Sequence, residues 1–237
     1  MKKYDIFLFD ADGTLFDFDR AEKNALEAAL KKCGFSYSPQ VLAQYREINT
    51  DVWKRYERGE ITKEELQPLR FNRLFSATGA SGGSGADYDG TGVNAEYLYE
   101  LGKSPFLIDG ALKICEEIHS LNKKIYIVTN GILAVQKARI EHSAISKYIE
   151  DFFVSEFIGF QKPQKEYFDY VLSHIEAAQK EKILIIGDSL SADIAGGNTA
   201  GIDSCWLNSG GAVNDTGIKP LYIVESLYEL RKFFINE

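Results

Sequence analysis

The sequence predicts an α/β protein, a doubly wound parallel sheet covered by helices, with an α-helical domain inserted after its first strand. Three observations predict it. Continuous apolar runs such as Ile183-Leu184-Ile185-Ile186 suit strands buried on both faces. Each run is followed by a turn and then a helical pattern, the alternation that produces parallel pairing. From about Asp19 to Phe106 only helical periodicity is found. That interval is far longer than one strand-to-strand crossover needs.

The first strand is Tyr4–Phe9. In the insertion, Ala21–Lys32 reads as a helix that stops near Gly34. Pro39–Arg58 reads as a second, with Ile48, Val52, Trp53 and Tyr56 at helical spacing. Thr62–Thr78 is a third, opened by the capping box Thr62-Lys63-Glu64-Glu65. Gly79–Gly92 is glycine-rich, with no lysine after it and no strand before it. It reads as a flexible connector and not as a phosphate-cradling loop. The alternation then resumes with helix Gly110–Leu121, strand Lys124–Thr129, helix Leu133–Ser143 and strand Asp151–Ser155. Helix Glu166–Gln179, strand Lys182–Gly187, helix Ala192–Ala200 and strand Ser204–Leu207 follow, and Leu227–Phe234 is a last helical stripe. The expected division is residues 1–17 and 107–237 as the sheet domain and 18–106 as the insertion.

Composition narrows the possible functions. A chain of 237 residues, 45% hydrophobic, buries a core without disulfides and is too apolar to be disordered. With 27 basic against 35 acidic residues and a net charge of −8, nucleic acid and other long polyanions are excluded as partners. Cys33, Cys115 and Cys205 are widely spaced and read as small buried hydrophobes in a reducing compartment. The apolar run after Met1-Lys2-Lys3 is bracketed by Asp5 and Asp10, too short for a secretory signal. No apolar stretch is long enough to cross a membrane. The expected protein is cytoplasmic, a monomer or weak homodimer acting on a small molecule. His119, His142 and His174 are isolated and read as helix-surface residues.

Open parallel sheets bind ligands beyond the carboxyl ends of their strands. Here those ends carry Asp10-Ala11-Asp12-Gly13-Thr14, then Thr129-Asn130-Gly131, then Lys162-Pro163, then Gly187-Asp188 with Asp193. Asp10, Asp12, Asp188 and Asp193 in one crevice repel one another unless a cation joins them. Hard carboxylate oxygens fit Mg²⁺, which bridges to a substrate phosphate. Thr129 offers a hydroxyl, Asn130 and Gly131 offer backbone N–H groups at a helix start, and Lys162 supplies a second positive charge. Of the two aspartates spaced by one residue, Asp10 lies nearer the strand end and is the nucleophile candidate. Asp12 is the candidate acid and base.

These four motifs, in this order, resemble those of the haloacid dehalogenase-like (HAD) superfamily. The resemblance covers residues 4 to about 207 and implies a Rossmann-like core, with the insertion as its helical cap. It implies Mg²⁺-dependent phosphoryl transfer. By the same carry-over, the metal is held by the Asp10 carboxylate, the Asp12 main-chain carbonyl and Asp188, with Asp193 in support. The dehalogenases lack an aspartate matching Asp12, so its presence implies phosphate chemistry. Ile48-Asn49-Thr50-Asp51-Val52-Trp53, Gly59-Glu60-Ile61-Thr62, Arg70-Phe71, Ser155-Glu156, Gly159–Pro163, Gly187–Gly197 and Cys205–Asn208 are similar to the noncanonical pyrimidine 5′-nucleotidases. Phe16 at the mouth of the site, and Asn49 and Trp53 on the insertion, are the expected further substrate contacts. A HAD sugar-phosphate phosphatase or phosphomutase is the nearest alternative. A receiver-type phospho-acceptor, which also uses acidic residues, Thr and Lys around Mg²⁺, is the more distant one.

Overall fold

A computed structural model describes residues 2–79, 90–175 and 179–235. Strand β1 (Ile6–Phe9) leads into helix α1 (Phe18–Lys32), and α2 (Pro39–Glu57), α3 (Lys63–Thr78) and α4 (Gly90–Gly102) follow. The chain then returns through α5 (Ala111–Ser120), β2 (Lys124–Thr129), α6 (Leu133–His142), β3 (Asp151–Val154), α7 (Ser155–Ile158) and α8 (Lys165–His174). It ends with β4 (Ile183–Gly187), α9 (Ala195–Ala200), β5 (Asp203–Leu207) and β6 (Tyr222–Val224), and with the 3₁₀ segment Leu227–Phe233. The chain divides into two compact units, Met1–Phe18 with Pro105–Glu237, and Asp19–Ser104.

The first unit is a six-stranded parallel sheet in the order β3-β2-β1-β4-β5-β6. Alternating side chains of each strand supply two separate cores. Phe7, Phe9, Ile125, Ile127, Leu184 and Ile186 pack with Ile114 and Ile118 of α5 and with Leu230 and Phe233. Ile6, Leu8, Tyr126, Val128, Ile183 and Ile185 pack with Tyr167, Phe168 and Val171 of α8. Both faces are therefore covered, and for this reason the strands read as unbroken apolar runs. The order reverses between β1 and β4, and a switch point of this kind opens a crevice above the strand ends.

Among the described residues, the regular elements of the second unit are all helices joined by short turns. Tyr45, Phe71 and Tyr97 meet at its centre with ring centroids 5.4–5.6 Å apart. A buried polar network lies among α1, α2, α3 and α4. Asn49 Nδ2 donates to Glu22 Oε1 at 3.0 Å, and Arg46 Nε donates to Glu22 Oε2 at 2.9 Å. Arg70 donates to Asn94 Oδ1 at 2.7 Å and to Asn49 Oδ1 at 3.4 Å. Burial pushes the Glu22 carboxyl upward against the pull of Arg46.

Several boundaries move, each for a local reason. β6 was not expected: its three residues at the sheet edge leave Ile223 exposed and give no buried alternation to read. The last stripe forms a 3₁₀ segment rather than an α-helix. The connector reading fails at Gly90 and Gly92, which lie in the first turn of α4. A Cβ on Gly90 would lie 2.4 Å from Asn72 Oδ1 and 2.5 Å from the Pro68 carbonyl, so glycine serves close packing of α4 on α3. Residues 80–89 of that stretch lie outside the described residues. Thr62 caps α3 as the sequence requires, its Oγ1 accepting from Glu65 N while Glu65 Oε2 accepts from Thr62 N. The three cysteines are buried and unbridged, and the three histidines are exposed. Among the described residues, no helix is long and apolar enough to cross a membrane.

Candidate active site

The site is assembled at the carboxyl ends of the central strands. Asp10 follows directly on β1, and its N–H donates to Ile186 O of β4 at 2.9 Å, which ties the two strand ends together. Asp188 lies just beyond β4, where Trp206 Nε1 at the end of β5 donates to its carbonyl at 2.8 Å. Asp193 sits in a π-type turn, Leu190–Ile194, which delays the start of α9. Such turns recur at functional sites because they redirect one side chain without ending the helix. Here the turn points Asp193 inward, with Oδ2 accepting from Ser189 N at 3.1 Å.

Lys162 joins these groups. Its ammonium donates to Asp10 Oδ1 and Asp193 Oδ1, both at 2.6 Å, and to Val128 O at 2.8 Å. All three of its protons are thus engaged within the protein. Burial works against the charged lysine, but the Asp10 and Asp193 carboxylates outweigh it and hold Lys162 above its ordinary value. Asp10 itself is pushed well above the usual carboxylate range by burial, opposed by Lys162 and reinforced by Asp193 and Asp188. Asp188 keeps contact with solvent at the rim, yet the protein packed around it and the Asp193 charge push its carboxyl up to about 7.

One carboxylate oxygen from each of Asp10, Asp188 and Asp193 lies within 4.8 Å of the other two. Three crowded carboxylates with too little positive charge among them fit a hard divalent cation, which oxygen ligands of this kind hold. Asp12 does not join this group through its carboxylate. That carboxylate pairs with Arg139 Nη1 through Oδ1 and accepts from Gln136 Nε2 through Oδ2 at 2.6 Å.

The residues at the end of β2 and after it are tied into the protein by their own hydrogen bonds. Thr129 Oγ1 is buried and accepts from Gly131 N at 3.1 Å. Asn130 contributes its side chain, donating to Lys162 O at 2.9 Å and accepting from Lys162 N at 2.8 Å. It therefore fixes the loop that carries Lys162. The start of α6 is held by Glu156, whose carboxylate accepts from Leu133 N at 2.5 Å. Phe16 does not stand at the mouth of the site. It is fully buried because the turn after β1 folds it inward, where its ring lies 4.7 Å from the Arg139 guanidinium. Asn49 is a buried member of the helical unit's polar network, and Trp53 is half-buried there, edge-on to Tyr56.

Gln136 and Arg139 were not foreseen. The only trace they leave in the sequence is a pair of polar residues three apart on a helix that directly follows Thr129-Asn130-Gly131.

The model of the haloacid dehalogenase-like hydrolase family matches residues 4–201. The chain belongs to that family. Among sequence relatives, the HAD-hydrolase YfnB of Bacillus subtilis (strain 168) is 39% identical, over 97% of this chain and 95% of its own. The pyrimidine 5′-nucleotidase PynA of Streptococcus pneumoniae is 37% identical over 96% and 93% of the two chains. The pyrimidine 5′-nucleotidase YjjG of Escherichia coli (strain K12) is 31% identical over 97% of each. A crystal structure of YfnB, described as bound to magnesium, superposes with a TM-score of 0.88 at 38% identity, covering 98% of both chains. The protein is accordingly a HAD-type phosphatase with a Rossmann-like core. Hydrolases of this superfamily generally use Mg²⁺, and the acidic group of Asp10, Asp188 and Asp193 fits that ion. Membership in a hydrolase family sets the receiver-type alternative aside.

Proposed function

We propose that this HAD phosphatase hydrolyses pyrimidine nucleoside 5′-monophosphates through an aspartyl phosphate on Asp10. The observation that carries the substrate is the pair of relatives described as pyrimidine 5′-nucleotidases, matched at 37% and 31% identity over nearly the whole chain. The observation that supports the chemistry is the placement of Asp10 against Lys162 and beside Asp188 at the sheet's switch point.

Asp10, Asp188 and the Asp12 main-chain carbonyl would hold Mg²⁺, with Asp193 in support. The ion, when bound, supplies charge neutralisation for the phosphate and favours the ionised form of Asp10. A carboxylate oxygen of Asp10 attacks phosphorus, and the bond from phosphorus to the nucleoside oxygen breaks. Asp12, which must enter this step carrying a proton on a lone pair that Arg139 and Gln136 leave free, gives that proton to the oxygen. Asp12 then takes a proton from water, whose oxygen attacks the acyl phosphate and releases inorganic phosphate and free Asp10. Lys162 balances the negative charge around Asp10, and Thr129 contributes its hydroxyl to the phosphate end. The helical unit, through surface residues such as the half-buried Trp53, would select the leaving group, while Asn49 is spent on that unit's own packing.

A panel of phosphate esters with added Mg²⁺ tests the substrate. The expected result is a kcat/KM for UMP and dTMP at least about tenfold above that for hexose phosphates, a difference of ~1.4 kcal/mol in transition-state binding. Hexose phosphates turned over as well as or better than nucleotides would overturn it in favour of a sugar-phosphate phosphatase.

A further inference from the structure

We propose that Gln136 and Arg139 are positioning residues that clamp the Asp12 carboxylate and assign it to proton transfer. The proposal rests on the phosphatase reading above and deepens it.

Asp12 and Asp10 are separated by one residue, yet their carboxylates have different partners. Asp10 faces Lys162, while Asp12 is gripped on both oxygens by α6, through Arg139 at Oδ1 and Gln136 at Oδ2, the latter at 2.6 Å. Residues three apart lie on the same face of a helix, so one element delivers both donors. The clamp keeps Asp12 out of the group of three carboxylates that fits a cation.

Each part of the clamp is a placement that packing alone disfavours. The Arg139 side chain is completely buried, and a buried guanidinium is retained only where it is paired. Its other face is backed by the Phe16 ring at 4.7 Å, which limits its movement. Gln136 is 1% exposed and its Oε1 accepts no hydrogen bond in the structure. A leucine would fill that volume without stranding an acceptor, so the amide's purpose lies at its other end, on Asp12. Gly131 makes room for it: a Cβ there would lie 2.2 Å from Gln136 Nε2. Gln136 and Arg139 thus converge on one carboxylate, with Gly131 leaving the space that Gln136 occupies.

The consequence is specific to leaving groups. A nucleoside oxygen needs a proton as it departs, whereas p-nitrophenolate does not. Asp12 is needed again as base when water attacks the phosphoenzyme, whichever ester was used. The test is a single-turnover, acid-quench comparison of the full-length, Mg²⁺-loaded wild type with Arg139→Met, Gln136→Leu and Arg139→Lys, using UMP and p-nitrophenyl phosphate. Intact mass measures the phosphoenzyme.

For Gln136→Leu and Arg139→Met, phosphorylation by UMP is expected to slow by about 100-fold or more, the size of a lost general acid. Phosphorylation by p-nitrophenyl phosphate is expected to stay within about threefold of wild type, with phosphoenzyme accumulating because water attack is slowed. Arg139→Lys is expected to recover part of the UMP rate. Gln136→Leu removes no charge and provides the reading even where Arg139→Met does not fold. Equal losses on both esters without accumulation, or wild-type rates on both, overturn the clamp alone. A wild type that forms no phosphoenzyme with either ester overturns the aspartyl-phosphate reading, and the clamp with it.

Discussion

Asp188 shows how the chemistry of one residue is set by its neighbours. In the metal-free protein, packing and the Asp193 charge raise its carboxyl to about 7. The folded chain therefore holds this proton over the range from the ordinary carboxylate value up to about 7, while the unfolded chain has released it. The sign follows: this group's contribution to stability is fully present at low pH and is lost as pH rises through 7. Cation binding needs the ionised form and must displace the proton. Mg²⁺ titrations followed by calorimetry should show tighter binding at about pH 8 than at about pH 6, with proton release in the latter. Equal affinity at both would contradict the assignment of Asp188 as a ligand. Lys162 shows what a sequence cannot convey about a residue. Its type and place after the third strand mark it as a site cation, but its three bonds to Asp10, Asp193 and Val128 depend on burial and on side chains distant in the chain. Gln136 and Arg139 carry little sequence signal for the same reason, since only the fold brings α6 against Asp12.

At the scale of elements, legibility follows how local the determining interaction is. The start of α3 depends on four consecutive residues, and Thr62 and Glu65 make the reciprocal bonds that their spacing implies. Thr62→Ala should cost about 1 kcal/mol of stability in urea unfolding of the full chain, with p-nitrophenyl phosphate hydrolysis unchanged. An unchanged midpoint would show that the box contributes nothing. The central strands were equally plain because burial on both faces leaves uninterrupted apolar runs. By contrast, β6 is short and half-exposed, and it is a strand only because Tyr222, Ile223 and Val224 pair with β5. The π-type turn at Leu190–Ile194 was hidden because Ala192–Ala200 has ordinary helical composition. The extra residue in that turn is what lets Asp193 reach Lys162. Glycine in isolation signals flexibility, and only the neighbouring Asn72 and Pro68 show that Gly90 marks close contact.

For the molecule as a whole, topology does most of the work of building the site. The strand order puts β1 in the middle of the sheet, between β2 and β4, so motifs far apart in sequence share one set of strand ends. This arrangement was legible because ligand position follows from strand order in any open parallel sheet. The net charge of −8 is a property of the whole surface and says little about the site. There Lys162 and a divalent cation would offset the carboxylates and make the local field receptive to a small phosphate dianion. The central claim, a covalent phosphatase acting on pyrimidine nucleotides through Asp10, is tested most directly by acid-quenching the Mg²⁺-loaded enzyme during turnover of UMP and mapping the adduct by peptide mass. The account predicts one phosphoryl group on the peptide carrying Asp10, absent from Asp10→Asn, which should hydrolyse no UMP. An adduct on another residue, or an Asp10→Asn variant that hydrolyses UMP at the wild-type rate, would contradict it.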